Sequence, residues 1–159
     1  MLLYPFLAIL IYMQIRSDST LQTKKIAQLL AEELRGGEII CLAGDLGAGK
    51  TTFAQGLLKG LKIKGPYTSP TFAIVKEYKI NLKFKISNLK LLSVYHIDAY
   101  RITAKDLLEL GFGDFVGKKN TVVILEWPEK VKKIIPKDAV WINFQWIGEK
   151  EREITFDAK

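Results

Sequence analysis

A chain of 159 residues with 48% hydrophobic content can bury one core and is too short for two full domains. Lys+Arg 24 against Asp+Glu 17 leaves a net charge of +7, which attracts nucleotide, RNA or an acidic protein surface without choosing among them. Cys41 is the only cysteine, which excludes an intrachain disulfide or a cysteine cluster for zinc and reads as a buried thiol in a reducing cytoplasm.

The first fifteen residues, MLLYPFLAILIYMQI, are apolar apart from Gln14 and the aromatic hydroxyls. A spanning helix needs roughly 20 apolar residues, and this run stops short of that. No basic residue precedes it and no small-residue cleavage site follows, so it does not read as a signal peptide. We read residues 1–12 as an apolar extension or an over-long start, with Met13 as the natural initiator of a domain over 13–159. A cytoplasmic protein without membrane attachment is expected.

Ser17 to Leu34 is predicted to form an amphipathic helix, with Ser19 and Gln22 as a capping box and Ile26, Leu29, Leu30 and Leu34 as its apolar stripe. Gly36 and Gly37 end it. Glu38 to Ala43 follows as a short apolar run between glycines, the mark of a strand buried on both faces and so of a parallel sheet. Lys50 to Leu61 puts Phe53, Leu57 and Leu61 on one helical face. Thr71 to Ile80, Leu82 to Ile86 and Leu89 to Tyr95 read as β segments of an antiparallel flap or edge, with turns at Asn81 and Ser87-Asn88. Thr103 opens a short helix with Asp106 in the box position and Gly111 as its stop. Thr121 to Leu125 is a second buried strand, and Val140 to Trp146 and Glu153 to Phe156 supply two more.

Between the first buried strand and the helix that follows, Gly44-Asp45-Leu46-Gly47-Ala48-Gly49-Lys50-Thr51 satisfies G-x-x-x-x-G-K-[ST] at every position. Glycines let the backbone turn successive N–H groups inward to phosphate oxygens, and the helix N-terminus adds the positive end of its dipole. Lys50 is expected to reach the β and γ phosphates and Thr51 to ligate Mg²⁺, with Thr52 continuing the nucleotide-binding run. The expected fold class is α/β: a single P-loop NTPase domain whose mainly parallel central sheet carries added antiparallel strands. Two carboxylates follow buried-type strands, Asp98 and Glu126, and either can hold the metal or position water at the ligand crevice. His96, the sole histidine, is expected to pack beside Asp98; one imidazole without cysteines makes no zinc site.

The guanine-reading N-K-x-D is missing, which favours ATP over GTP, and Asp114 to Gly117 matches D-x-x-G only by coincidence of position. A small-molecule kinase usually carries an arginine-bearing lid, and only Arg16, Arg35, Arg101 and Arg152 exist. GDLGAGKTTFAQGL from Gly44, SPTF from Ser69, HIDAYR from His96, ELGF from Glu109 and LEW from Leu125 occur in an order that resembles the TsaE (YjeE) family, from about Ile15 to Phe156. That resemblance implies an ATPase that serves threonylcarbamoyladenosine formation at position 37 of tRNA with TsaD and TsaB, without itself modifying RNA. By the same resemblance Thr51 and Glu126 would hold Mg²⁺, Asp98 would serve hydrolysis, and Ser69 to Phe72 would act as a switch. Trp127 would lie near the nucleotide, with Thr20 and Arg152 by its adenosine end. The chain departs from the family in a longer Tyr78 to Tyr95 stretch and in the apolar Met1 to Tyr12 segment. The competing classes are a free-standing small-molecule kinase and a nucleotide-dependent binding module with negligible turnover.

Overall fold

Ile39, Ile40, Cys41 and Leu42 are all at most 3% exposed, and every residue of Thr121–Glu126 is buried as well. Strands apolar on both faces must be covered on both faces, and the computed structural model, which describes residues 13–80, 91 and 93–158, does so with helices. In chain order the elements are β1 (Gln14–Ser17), α1 (Thr20–Glu33), β2 (Ile39–Gly44), α2 (Lys50–Gly60), β3 (Val75–Lys79), β4 (Ser93–Asp98), α3 (Ala104–Glu109), α4 (Phe112–Phe115), β5 (Thr121–Glu126), β6 (Val140–Trp146) and β7 (Arg152–Ala158). Two 3-10 turns, Pro128–Lys130 and Lys132–Ile134, join β5 to β6.

The seven described strands form one sheet in the order β1-β7-β6-β2-β5-β4-β3. The middle four are parallel, and antiparallel strands flank them on both sides: β7 and β1 beyond β6, β3 beyond β4. The fold class read from the sequence is therefore observed. Alternation along β2 splits the core in two. Ile40 and Leu42 face α1 and α2 with Phe53, Leu57 and Phe144, while Ile39 and Cys41 face α3, α4 and the 3-10 turns with Leu107, Phe112 and Val131. Burial raises the Cys41 thiol far above its ordinary pKa, so it behaves as a small apolar filler.

Several boundaries differ from the sequence reading. Ser17 closes β1 instead of opening the helix, which begins at Thr20 with Ser19 as its cap accepting from the Gln22 N–H at 3.2 Å. Gln22 accepts instead from the Asp18 N–H at 2.7 Å, one residue beyond the Ser19 N–H that a true box engages. Leu29 is 54% exposed, and the buried stripe runs through Thr23, Ala27, Leu30 and Ala31. The reason lies across the contact, where a Cβ on Gly56 of α2 would come within 2.6 Å of Ala27 and one on Gly60 within 2.5 Å of Ala31. Only small residues fit where the two helix backbones approach this closely. β3 spans Val75–Lys79 only, because Thr71 to Ala73 turn and Ile74 adopts φ +64°. β4 starts later than expected and continues through His96 to Asp98; it lies inside the sheet, parallel to β5, so that β3 and not β4 forms the edge on this side. The segment Leu82 to Ile86 and the extension over 1–12 lie outside the described residues. The capping box at Thr103 and Asp106 forms with both hydrogen bonds, and Asp114 sits within α4, away from any strand end. Among the described residues no helix is long and apolar enough to cross a membrane.

Candidate nucleotide and metal site

The site begins where β2 runs out. Gly44 adopts φ +137°, and a Cβ there would run into the Phe144 carbonyl oxygen of the neighbouring β6, so no other residue fits. Gly49, at φ +107°, caps α2 in the left-handed region with the aliphatic part of Arg152 lying 3.7 Å from where its Cβ would be. The loop therefore delivers the chain into an 11-residue helix whose first N–H groups have no intrahelical partner. Lys50 is 4% exposed; its ammonium donates to the Gly44 and Asp45 carbonyls at 2.6 and 2.7 Å and lies 3.8 Å from the centre of the Trp127 ring. Burial lowers its pKa from the ordinary 10.5, an effect that Glu126 opposes by favouring the charged form.

Opposite the loop, Asp98 and Glu126 are paired in register at the C-terminal ends of β4 and β5. The Thr51 hydroxyl donates to Glu126 Oε2 at 2.7 Å, and His96 Nε2 meets Glu126 Oε1 at 2.8 Å. His96 thus sits against Glu126 and not beside Asp98 as the sequence reading had it. His96 is opposite Ile124, which makes Glu126 its diagonal neighbour on the same face, and the longer glutamate spans the gap. The shorter Asp98 turns the other way: Oδ2 accepts from the Thr71 hydroxyl at 2.9 Å and Oδ1 from the Tyr100 N–H at 3.0 Å. Ser69 and Thr71 hydroxyls are 2.6 Å apart, so Asp98 is tied to the segment between α2 and β3.

A cavity of about 340 Å³ opens between these groups, within the range of ligand pockets. Leu46, Gly47, Gly49, Lys50, Thr51 and Thr52 line it from the loop side, and Thr71, Asp98, Tyr100, Arg101, Glu126 and Trp127 line it from the other. Asp45 and Ala48 belong to the loop without lining the cavity. Trp127 adopts φ +59°, which turns its ring to meet both Lys50 and Tyr100, the latter at 4.8 Å between centroids. Thr20 and Arg152 are not among the residues that line the cavity. Arg152 rests on Gly49 and donates to the Gly148 and Glu151 carbonyls, and Thr20 follows closely on Ser17, which pairs with Arg152. Sequence reasoning gave no role to Tyr100, Arg101 or the His96–Glu126 contact. The run HIDAYR carried the signal for Tyr100 and Arg101, whereas the His96–Glu126 contact depends on how β4 pairs with β5.

No group of three or more His, Cys, Asp or Glu side chains able to hold a metal occurs among the described residues. The oxygens of Thr51 and Glu126 fit Mg²⁺, which takes one or two protein ligands and completes its shell with phosphate and water.

The family model described as threonylcarbamoyl adenosine biosynthesis protein TsaE matches residues 17–154. A Bacillus subtilis (strain 168) protein named tRNA threonylcarbamoyladenosine biosynthesis protein TsaE is 38% identical over 137 residues, covering 86% of this chain and 80% of its own length. A protein of the same name from Aquifex aeolicus (strain VF5) is 37% identical over 144 residues, with 89% and 93% covered. The crystal structure of Bacillus subtilis YdiB matches with a TM-score of 0.72 at 33% identity, over 92% of this chain and 84% of that one. With the P-loop, HIDAYR and LEW segments all inside the matched span, the chain belongs to the TsaE family.

Proposed function

We propose that this protein binds ATP with Mg²⁺ at the loop from Gly44 to Thr51 and hydrolyses it in support of tRNA threonylcarbamoyladenosine biosynthesis in the cytoplasm. It acts alongside TsaD- and TsaB-type proteins and meets tRNA indirectly, through the complex they form. The observation that carries this reading is the meeting of Lys50, Thr51, Asp98 and Glu126 around one cavity at the sheet's C-terminal edge, in a chain of the TsaE family. Lys50 exchanges its two loop carbonyls for β and γ phosphate oxygens, whose full charges attract the ammonium more strongly than carbonyl dipoles do. Backbone N–H groups of the loop and the start of α2 hold the remaining oxygens. Thr51 and Glu126 hold Mg²⁺, which when bound neutralises charge developing on the phosphates. Asp98, buried and oriented by Thr71 and Tyr100, positions the attacking water.

Hydrolysis by this protein alone is expected to be slow. Asp98 is fastened to a turn that packs little apolar surface, Phe72 being 90% exposed, so a partner that fixes this turn completes the site. ATP turnover measured with and without TsaD and TsaB tests the reading, and stimulation of about 10³-fold has precedent among P-loop enzymes. A turnover that ignores both proteins and answers instead to a small phosphoryl acceptor would overturn it in favour of a kinase.

A further inference from the structure

Glu126 has two carboxylate oxygens, and they face different duties. Oε2 accepts from Thr51, on the side where the loop and cavity lie, while Oε1 is held by His96 at 2.8 Å. The side chains of His96 and Glu126 are 1% and 3% exposed, so water does not compete for this contact. A carboxylate accepts only, so the imidazole hydrogen sits on Nε2, and Nδ1 has no partner among the described residues. Glu126 is the only polar group His96 engages there.

We propose that His96 confines Glu126 to a single oxygen for a cation and thereby makes the site select Mg²⁺ over Ca²⁺. The inference rests on the reading of Glu126 as a cation ligand. Ca²⁺ accepts six to eight oxygens, often both from one carboxylate, at about 2.3–2.6 Å. Mg²⁺ demands an octahedron at about 2.0–2.1 Å and takes one oxygen from each ligand. Oε1 is turned inward onto the buried imidazole, so bidentate attachment has to draw it away from His96, whereas attachment through Oε2 leaves that bond in place and engages the oxygen already beside Thr51, the other ligand. The selectivity is therefore set by a residue that touches neither the ion nor the nucleotide. His96 is a positioning residue.

Binding of a fluorescent ADP to the full chain, titrated separately with MgCl₂ and CaCl₂, measures this without reference to turnover. In the wild type Mg²⁺ supports binding at lower concentration than Ca²⁺. His96→Leu, and His96→Asn with its amide too short to reach Glu126, are expected to narrow that ratio about tenfold, the lower end of effects seen when groups that orient metal ligands are lost. His96→Gln, whose amide can take the place of Nε2, is expected to restore it. An unchanged ratio in either shortened variant, or a wild type indifferent to the two ions, would refute the role of His96. Failure of the parent reading looks different: Glu126→Gln would leave the divalent requirement for ADP binding untouched.

Discussion

Replacing Lys50 with methionine keeps the length and apolar stem of the side chain and removes only the ammonium. In the free protein that ammonium makes two hydrogen bonds to carbonyls and one contact with the Trp127 ring. Hydrogen bonds from a charged donor contribute about 1.5–3 kcal/mol each, and the ring contact about 0.5–2 kcal/mol. Against this stands the cost of keeping a lysine at 4% exposure, several kcal/mol for a charge withdrawn from water. The two sums are of one size and opposite sign, so the variant should differ in stability by no more than about 2 kcal/mol, or about 8 °C in Tm. Phosphate binding exchanges those two carbonyls for charged oxygens, and the variant forfeits the surplus of that exchange. Losing one charge-assisted contact of about 1.5–3 kcal/mol weakens ADP binding roughly 10- to 150-fold. Thermal melting and ADP titration on the same sample separate the two effects. A folded Lys50→Met protein that binds ADP within about threefold of wild type would refute the phosphate role, and a collapse of Tm would refute the balance worked out for the buried ammonium.

Because burial depresses the Lys50 pKa, its charged form is disfavoured in the free protein, and the associated stability is present above pH 10.5 and lost as pH falls through the depressed value. Nucleotide binding draws on the charged form and has the opposite sign: ADP affinity should weaken with rising pH from below 10.5, and Lys50→Met should lack that alkaline limb. Asp98→Asn is expected to keep ADP affinity within about threefold while partner-stimulated turnover falls about 10²-fold or more, the scale of losing a group that handles water. Thr71→Val, which deletes the hydroxyl on Asp98 Oδ2, should reduce the same turnover about tenfold, and parity with wild type would detach the turn from the chemistry. Trp127 lines the cavity and stacks against Lys50, so its emission should change on ADP addition and the change should vanish in Trp127→Phe.

The strand, loop and helix between Ile39 and Gly60 were legible in type and to within one residue at their ends, because the signals that define them are largely local. Two-faced burial demands an unbroken apolar run, and the loop's backbone demands glycine at Gly44 and Gly49. The stripe of α1 was misread at Leu29 because the deciding fact, the bare backbone at Gly56 and Gly60, stands on a different helix. Both carboxylates were found from their place at strand ends, yet their partners were not. Whether His96 reaches Asp98 or Glu126 depends on the register of β4 against β5, which nothing in either strand's own pattern encodes. The tie from Asp98 to Thr71 needs φ +64° at Ile74, a conformation no β-branched residue advertises. Arg152 and Thr20, expected from family resemblance, are not among the lining residues, although Arg152, which pairs with Ser17 across β1 and β7, packs its stem on Gly49, which is.

The glycine seam between α1 and α2 assigns the moving and the stationary parts of this machine. Helices whose backbones touch at Gly56 and Gly60 cannot slide or tilt without collision, so the first turn of α2, with Lys50 and Thr51, is bolted to the body of the protein. Any rearrangement during a nucleotide cycle falls to the opposite wall, where Thr71, Phe72 and Arg101 stand exposed or half-exposed. Amide exchange should accordingly fall into two kinetic classes on the two sides of one cavity, slow in α2 and fast from Ser69 to Ile74, with ligand slowing only the second. A methyl group at Gly56, about 9 Å along α2 from Lys50, would loosen the bolt and blur that division.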